Sequence, residues 1–190
     1  MLFNTMRTKL FMLILCPLLL WGGPIQKSAE TTIRNQFKQA ITLQFDKYQL
    51  PPDIKKDIEK EVHQSFFMDQ VYLWQIFRQD SLVGYALLDN VRGKSLPITF
   101  MVLFNGRAEI TSSHIVKYRE SIGGAVSNPQ WQKQFTGKDA SSGFSVGDHI
   151  DGISGATISV HAVSKGIRKL ALLARYLITQ PILSANENQP

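Results

Sequence analysis

An α+β fold, an antiparallel β-sheet meander packed against helices, is what this sequence predicts. Three observations carry that expectation. Residues 71–77, 84–88 and 98–104 are runs rich in aromatic and β-branched side chains, which favour a pleated, half-buried strand. Two amphipathic helical patterns precede them. A long helical pattern follows, with Val163, Ile167, Leu170, Ala174 and Leu177 spaced in steps of four and three along one stripe.

In chain order, residues 29–45 read as the first helix, because Ile33, Phe37 and Ile41 recur every four residues. Residues 51–66 read as the second. Pro51 and Pro52 open it, and Ile54, Ile58, Val62 and Phe66 make its apolar face. The three strand runs then form a meander. Asn105 and Gly106 end the third run with a hairpin signal of the type I′ kind, and residues 108–118 return as a partner strand. Asn128 caps a short helix with Pro129 in its first turn, Trp131 and Phe135 share one side, and Gly137 ends it. The last helix runs over 157–179. Lys165, Arg168, Lys169 and Arg175 occupy faces away from its stripe, and Gln180 and Pro181 stop it. The division expected is a targeting or anchor segment over 1–27, a helical segment over 28–70, the main domain over 71–180 and a polar tail over 181–190.

Composition bounds the function. The hydrophobic fraction of 44% supplies a core. Of the formal net charge of +6, three charges (Arg7, Lys9 and Lys27) sit in an N-terminal segment without acids, leaving +3. No basic stripe with interleaved aromatics appears, so nucleic acid is not an expected partner. Arg7 and Lys9 precede an apolar run over residues 10–21, which fits the apolar core of an export signal better than a spanning helix. No small-residue cleavage pattern follows Trp21, so an uncleaved anchor stays open beside a cleaved signal. In either case the domain faces outward. Cys16, inside that run, is the sole cysteine, which excludes an internal disulfide.

Residues 151–159 read DGISGATIS, at the mouth of the last helix. Asp151, Gly152, Ser154, Gly155 and Ala156 make a small-residue loop, and Thr157 stands in the first turn. Helix starts present unpaired N–H groups and partial positive charge, which suits a phosphate. The same residue types also begin ordinary helices. The full pattern resembles the flavinylation motif of the FMN-binding domain family. That family includes the C subunit of sodium-translocating NADH:quinone reductase and the G subunit of the Rnf complex. A second, looser resemblance lies in Glu120, Ser121, Ile122, Gly123 and Gly124, where the family often has Glu-Thr-Pro-Gly.

The resemblance implies an FMN-binding domain-like fold and FMN joined by a phosphoester to Thr157. It implies that Asp151 serves the flavin transferase that attaches FMN, using FAD and a divalent metal. Ser154, Gly155 and Ala156 then surround the phosphate, and Glu120, Ser121 and Gly123 lie near the flavin. The function implied is an extracytoplasmic electron carrier, periplasmic or anchored to the outer face of the membrane. It would exchange electrons with a membrane-bound haem or iron–sulfur protein, as a subunit of an oxidoreductase complex rather than a stand-alone enzyme. The alternative is an exported interaction or sensory domain that binds FMN loosely or not at all. The spacing of Asp148 and Asp151 does not make an EF-hand, and His63, His114, His149 and His161 form no close ligand pair.

Overall fold

The computed structural model describes residues 23–37 and 41–180. The expected export segment, Cys16 and the polar tail beyond Gln180 lie outside the described residues. Helix α1 (Pro24–Phe37) leads into strand β1 (Thr42–Gln49), and helix α2 (Pro52–Val62) follows. Strands β2 (Gln70–Arg78), β3 (Ser81–Arg92), β4 (Pro97–Asn105) and β5 (Ile110–Lys117) come next. All five strands form one antiparallel sheet in sequence order. Helix α3 (Pro129–Gln132) and helix α4 (Thr157–Ile178) complete the chain, and no helix among the described residues is long and apolar enough to cross a membrane.

Alternation along the strands sorts side chains between two faces. Trp74, Ile76, Ala86, Leu88, Met101 and Leu103 pack with Ala29 and Ile33 of α1. Leu73, Tyr85, Leu87, Phe100, Val102 and Phe104 pack on the other face with the stripe of α4 and with Ile58 and Val62 of α2. The central strands β3 and β4 are thus covered on both sides. Helix α4 lies unusually close to the sheet at Gly166, where a Cβ would come within 2.7 Å of Val91 and 2.8 Å of Phe100. The apolar side of α4 is therefore shaped as much by a missing side chain as by the buried ones.

Three expectations need correction. Residues 29–45 are not one helix: α1 ends at Phe37, and Thr42–Gln49 pairs with β2. The segment over 28–70 is therefore not wholly helical and shares the sheet of the main domain. The β4–β5 hairpin is not of the type I′ kind. Gly106 does not take positive φ, whereas Ala108 does, at 60°. The Ala108 N–H donates to the Asn105 carbonyl at 3.0 Å, and the Asn105 side-chain oxygen accepts from the N–H groups of Arg107 and Glu109. The side chain of Asn105 thus builds the turn that its sequence signal announced, in another geometry. Lys169, finally, is expected on a face away from the buried stripe, yet it is itself in the core. It is fully buried, 3.0 Å from the equally buried Asp89, and donates to the Ser65 carbonyl at 2.9 Å.

Candidate functional site

Strand pairing brings two separate loops to one end of the sheet, where Arg92 lies opposite Pro97 and Thr99 opposite Lys117. The β3–β4 connection and the segment after β5 meet the start of α4 there. Between them runs a groove of about 690 Å³, lined by Lys94, Ser95, Leu96, Arg119 and residues 120–123 and 155–159. Its size falls within the usual range for small-molecule sites. Leu96, Ile122 and Ile158 are 45%, 73% and 52% exposed, yet all three line it. Water meets apolar side chains on both sides of the groove, which favours burial of a planar apolar ligand between them.

The α4 end of the groove is polar. Ala156 precedes the helix with no side-chain cap bond, and Thr157 is exposed at the first helical position. Gly155 takes φ 77°, a turn that a Cβ would strain. The first N–H groups of α4 therefore keep their capacity to bind an anion. An exposed hydroxyl, uncapped amides and apolar walls suit a phosphorylated aromatic group, with Thr157, Gly155 and Ala156 at the phosphate end.

Tyr118 ties the two halves together. Its hydroxyl donates to the Ile122 carbonyl at 2.6 Å and lies 2.9 Å from the hydroxyl of Ser159. One phenolic proton serves one acceptor, so Ser159 is the donor in the second bond. Gly123, at φ 89°, is wedged against this pair: a Cβ there would stand 2.6 Å from the Tyr118 oxygen and 2.8 Å from that of Ser159. Gly123→Ala is expected to break the tie and destabilise the protein by about 1–3 kcal/mol, read from denaturant midpoints. Unchanged midpoints would show that the loop shifts freely.

Glu120 belongs to the groove wall, but its carboxylate is engaged. It accepts from the N–H groups of Ser95 at 2.9 Å and Leu96 at 3.2 Å, so it braces the β3–β4 connection. These amides, Ser95 first, hold its carboxyl below the usual glutamate range. A depressed folded-state pKa means that the bracing is complete above the unfolded value and lost as pH falls through the folded one. Amide resonances of Ser95 and Leu96 should therefore titrate together at a pH below that of a free glutamate, and Glu120→Gln should remove the transition. Arg119 donates to the Pro97 carbonyl and to the Thr99 hydroxyl, at 2.8 and 2.9 Å, fixing the same connection.

Of the residues read from the sequence, Glu120, Ser121, Gly123, Gly155, Ala156 and Thr157 line this groove, whereas Asp151 and Ser154 do not. Asp151 borders a separate depression with Trp131 and Gln134. Its backbone is clamped there: the Trp131 indole N–H donates to its carbonyl and its N–H donates to the Gln134 side-chain oxygen, both at 2.8 Å. Its carboxylate stays exposed. Asn128 does cap α3, accepting from the Gln130 N–H at 2.8 Å. The fourth residue of α3, Gln132, donates to the Val126 carbonyl and accepts from Ser113 of β5. His149 bonds to Ser145 and, like His161, stands outside the groove. Sequence reasoning missed Lys94, Ser95, Leu96, Tyr118 and Arg119, and gave Ser159 no role beyond its place in the motif. Of these only Leu96 carried any signal, as an apolar residue inside a loop sequence. Among the described residues, no three His, Cys, Asp or Glu side chains cluster as a metal site would require.

A meander sheet backed by a long helix, with a groove of small-molecule size at that helix's start, defines an α+β domain built to bind a small molecule. Residues 93–171 match the family model of the FMN-binding domain, so the chain carries an FMN-binding domain. Among solved structures, NqrC of Shewanella oneidensis superposes with a TM-score of 0.52 at 17% identity, over 80% of this chain and 88% of that one. At that identity the likeness concerns the fold. No curated protein sequence matches the chain.

Proposed function

We infer that this protein is an extracytoplasmic electron carrier whose FMN is joined through a phosphoester to the Thr157 hydroxyl. The observation that supports this reading most is the placement of Thr157. It is exposed at the uncapped start of α4 and opens into the groove with Leu96, Ile122 and Ile158. FMN supplies one- and two-electron redox chemistry through its isoalloxazine ring. The chain's own residues bind and position. The α4 amides would hold the phosphate and the apolar trio would exclude water from the ring, while Tyr118 holds Ile122 against Ser159. Lys94 and Arg119 add positive charge to the same groove.

The helix-start contribution to anion binding is about 0.3–1 kcal/mol, rising to about 2 kcal/mol when partly buried. That is too small to retain a cofactor outside the cytoplasm, where lost FMN is not replaced. A covalent ester removes the problem. A threonine hydroxyl is a weak nucleophile, and no base bonds to that of Thr157, so attachment falls to a separate flavin transferase. In that reaction the FAD phosphoanhydride breaks, the phosphorus–oxygen bond to Thr157 forms, the hydroxyl proton is lost and AMP leaves. The exposed Asp151 carboxylate remains available to the transferase. Electrons would then pass to or from a membrane-bound haem or iron–sulfur partner.

The intact mass of the protein, co-expressed with a transferase, tests the attachment. An increase by one esterified FMN is expected. Unmodified protein beside an active transferase would instead favour the interaction or sensory reading.

A further inference from the structure

Five large hydrophobic side chains stand exposed among the described residues, and three of them line the groove. The other two are neighbours. Phe67 is 46% and Met68 55% exposed, on the connection between α2 and β2. Met68 also lines a second cavity, of about 900 Å³, with Gly23, Ile25, Leu43, Phe45 and Tyr72. Strand register fixes where this lies. Gln49 pairs with Gln70, Arg92 with Pro97 and Thr99 with Lys117, so the Phe67–Met68 connection shares the groove's end of the sheet. The tight turns after β2 and β4 occupy the opposite end.

Two further features converge on this end. The chain arrives there at Gly23, two positions after the apolar run over residues 10–21. Consecutive Cα atoms are about 3.8 Å apart, so that run is tethered at the cavity mouth. The end is also basic: Lys47, Arg92, Lys94 and Lys117 are exposed there. Of the acids nearby, Asp69 pairs with Lys55 at the surface, Asp89 is buried against Lys169, and the Glu120 carboxylate is held by backbone amides, so exposed Asp46 and Asp53 stand against four exposed cations. An apolar pair beside a basic rim, fastened to an apolar run, has the chemistry of a surface that lies on an anionic bilayer.

We propose that this end of the domain docks on an anionic lipid surface, with Phe67 and Met68 entering the interfacial layer. Docking turns the groove toward the membrane, because both lie at one end of the sheet. The proposal does not depend on the flavin attachment.

Hydrogen–deuterium exchange of the full chain, with and without vesicles, tests it. Vesicles of phosphatidylcholine mixed with phosphatidylglycerol should slow exchange over residues 63–70 by on the order of tenfold and leave residues 105–109 unchanged. Replacing both Phe67→Asp and Met68→Asp should abolish the slowing, while the chain still floats with vesicles through residues 10–21. Unaltered exchange over 63–70 in floating wild-type protein overturns the proposal, whatever the variant does. Equal slowing on phosphatidylcholine alone overturns the part assigned to the basic rim. Slowing that needs an added membrane protein, and not lipid, assigns the face to a protein partner and overturns it as well.

Discussion

Thr157→Ala is expected to leave a folded protein that carries no covalent flavin. Its denatured and washed form should be colourless where the wild type stays yellow, and its intact mass should be that of the bare chain. The fold should be nearly indifferent. Thr157 is exposed and its hydroxyl caps nothing, so a stability change within about 0.5 kcal/mol is expected. That combination separates attachment from folding. Thr157→Ser keeps a hydroxyl at the same helical position and should retain the flavin, because the ester needs the oxygen and not the methyl group. An alanine variant as yellow as the wild type would place the bond elsewhere and remove the proposed attachment.

Breaking the Lys169–Asp89 pair carries the largest expected effect on stability. Lys169 Nζ stands 3.0 Å from Asp89, 2.9 Å from the Ser65 carbonyl and 4.5 Å above the Phe66 ring. Burial pushes the Asp89 carboxyl up and the Lys169 ammonium down, and each is partly restored by the other. A single charge left behind is uncompensated in an apolar setting. Lys169→Met or Asp89→Leu alone should therefore cost about 3–5 kcal/mol in denaturant unfolding. The double variant should recover much of the loss, because two apolar side chains replace two desolvated charges. If the double variant is as unstable as the sum of the singles, the pair is not the unit that matters. The site lies along α4 from Thr157 but shares none of its contacts, so flavin attachment serves as a control for intact folding at the groove.

The elements most legible in the sequence were those whose signals are local. The last helix was expected over 157–179 and occurs over Thr157–Ile178, because its stripe repeats for about four turns and Pro181 follows. Asn128 and Pro129 placed α3 through a cap bond that spans two residues. The strand between Thr42 and Gln49 was lost to an arithmetic coincidence. Ile33, Phe37 and Ile41 are four apart and the spacing continues to Phe45, and four residues return to the same face of a strand as well as nearly to the same face of a helix. Only the pairing with β2 decides between them. The Asn105 turn shows the same limit on a smaller scale: the residue signalled a hairpin, while the register of β4 against β5 chose the geometry.

By itself the sequence determined the α+β class, the long last helix, and a small-residue loop that presents a threonine at its start. All of these rest on periodicity and on contacts within a few residues. Tertiary structure alone decided that residues 94–96, 119–123 and 155–159 share one groove, that Tyr118 reaches Ser159 and that Lys169 finds Asp89. Those partners lie about 40 to 80 positions apart. Nothing in local propensity links them; the register of five strands and the seating of α4 against Gly166 bring them together.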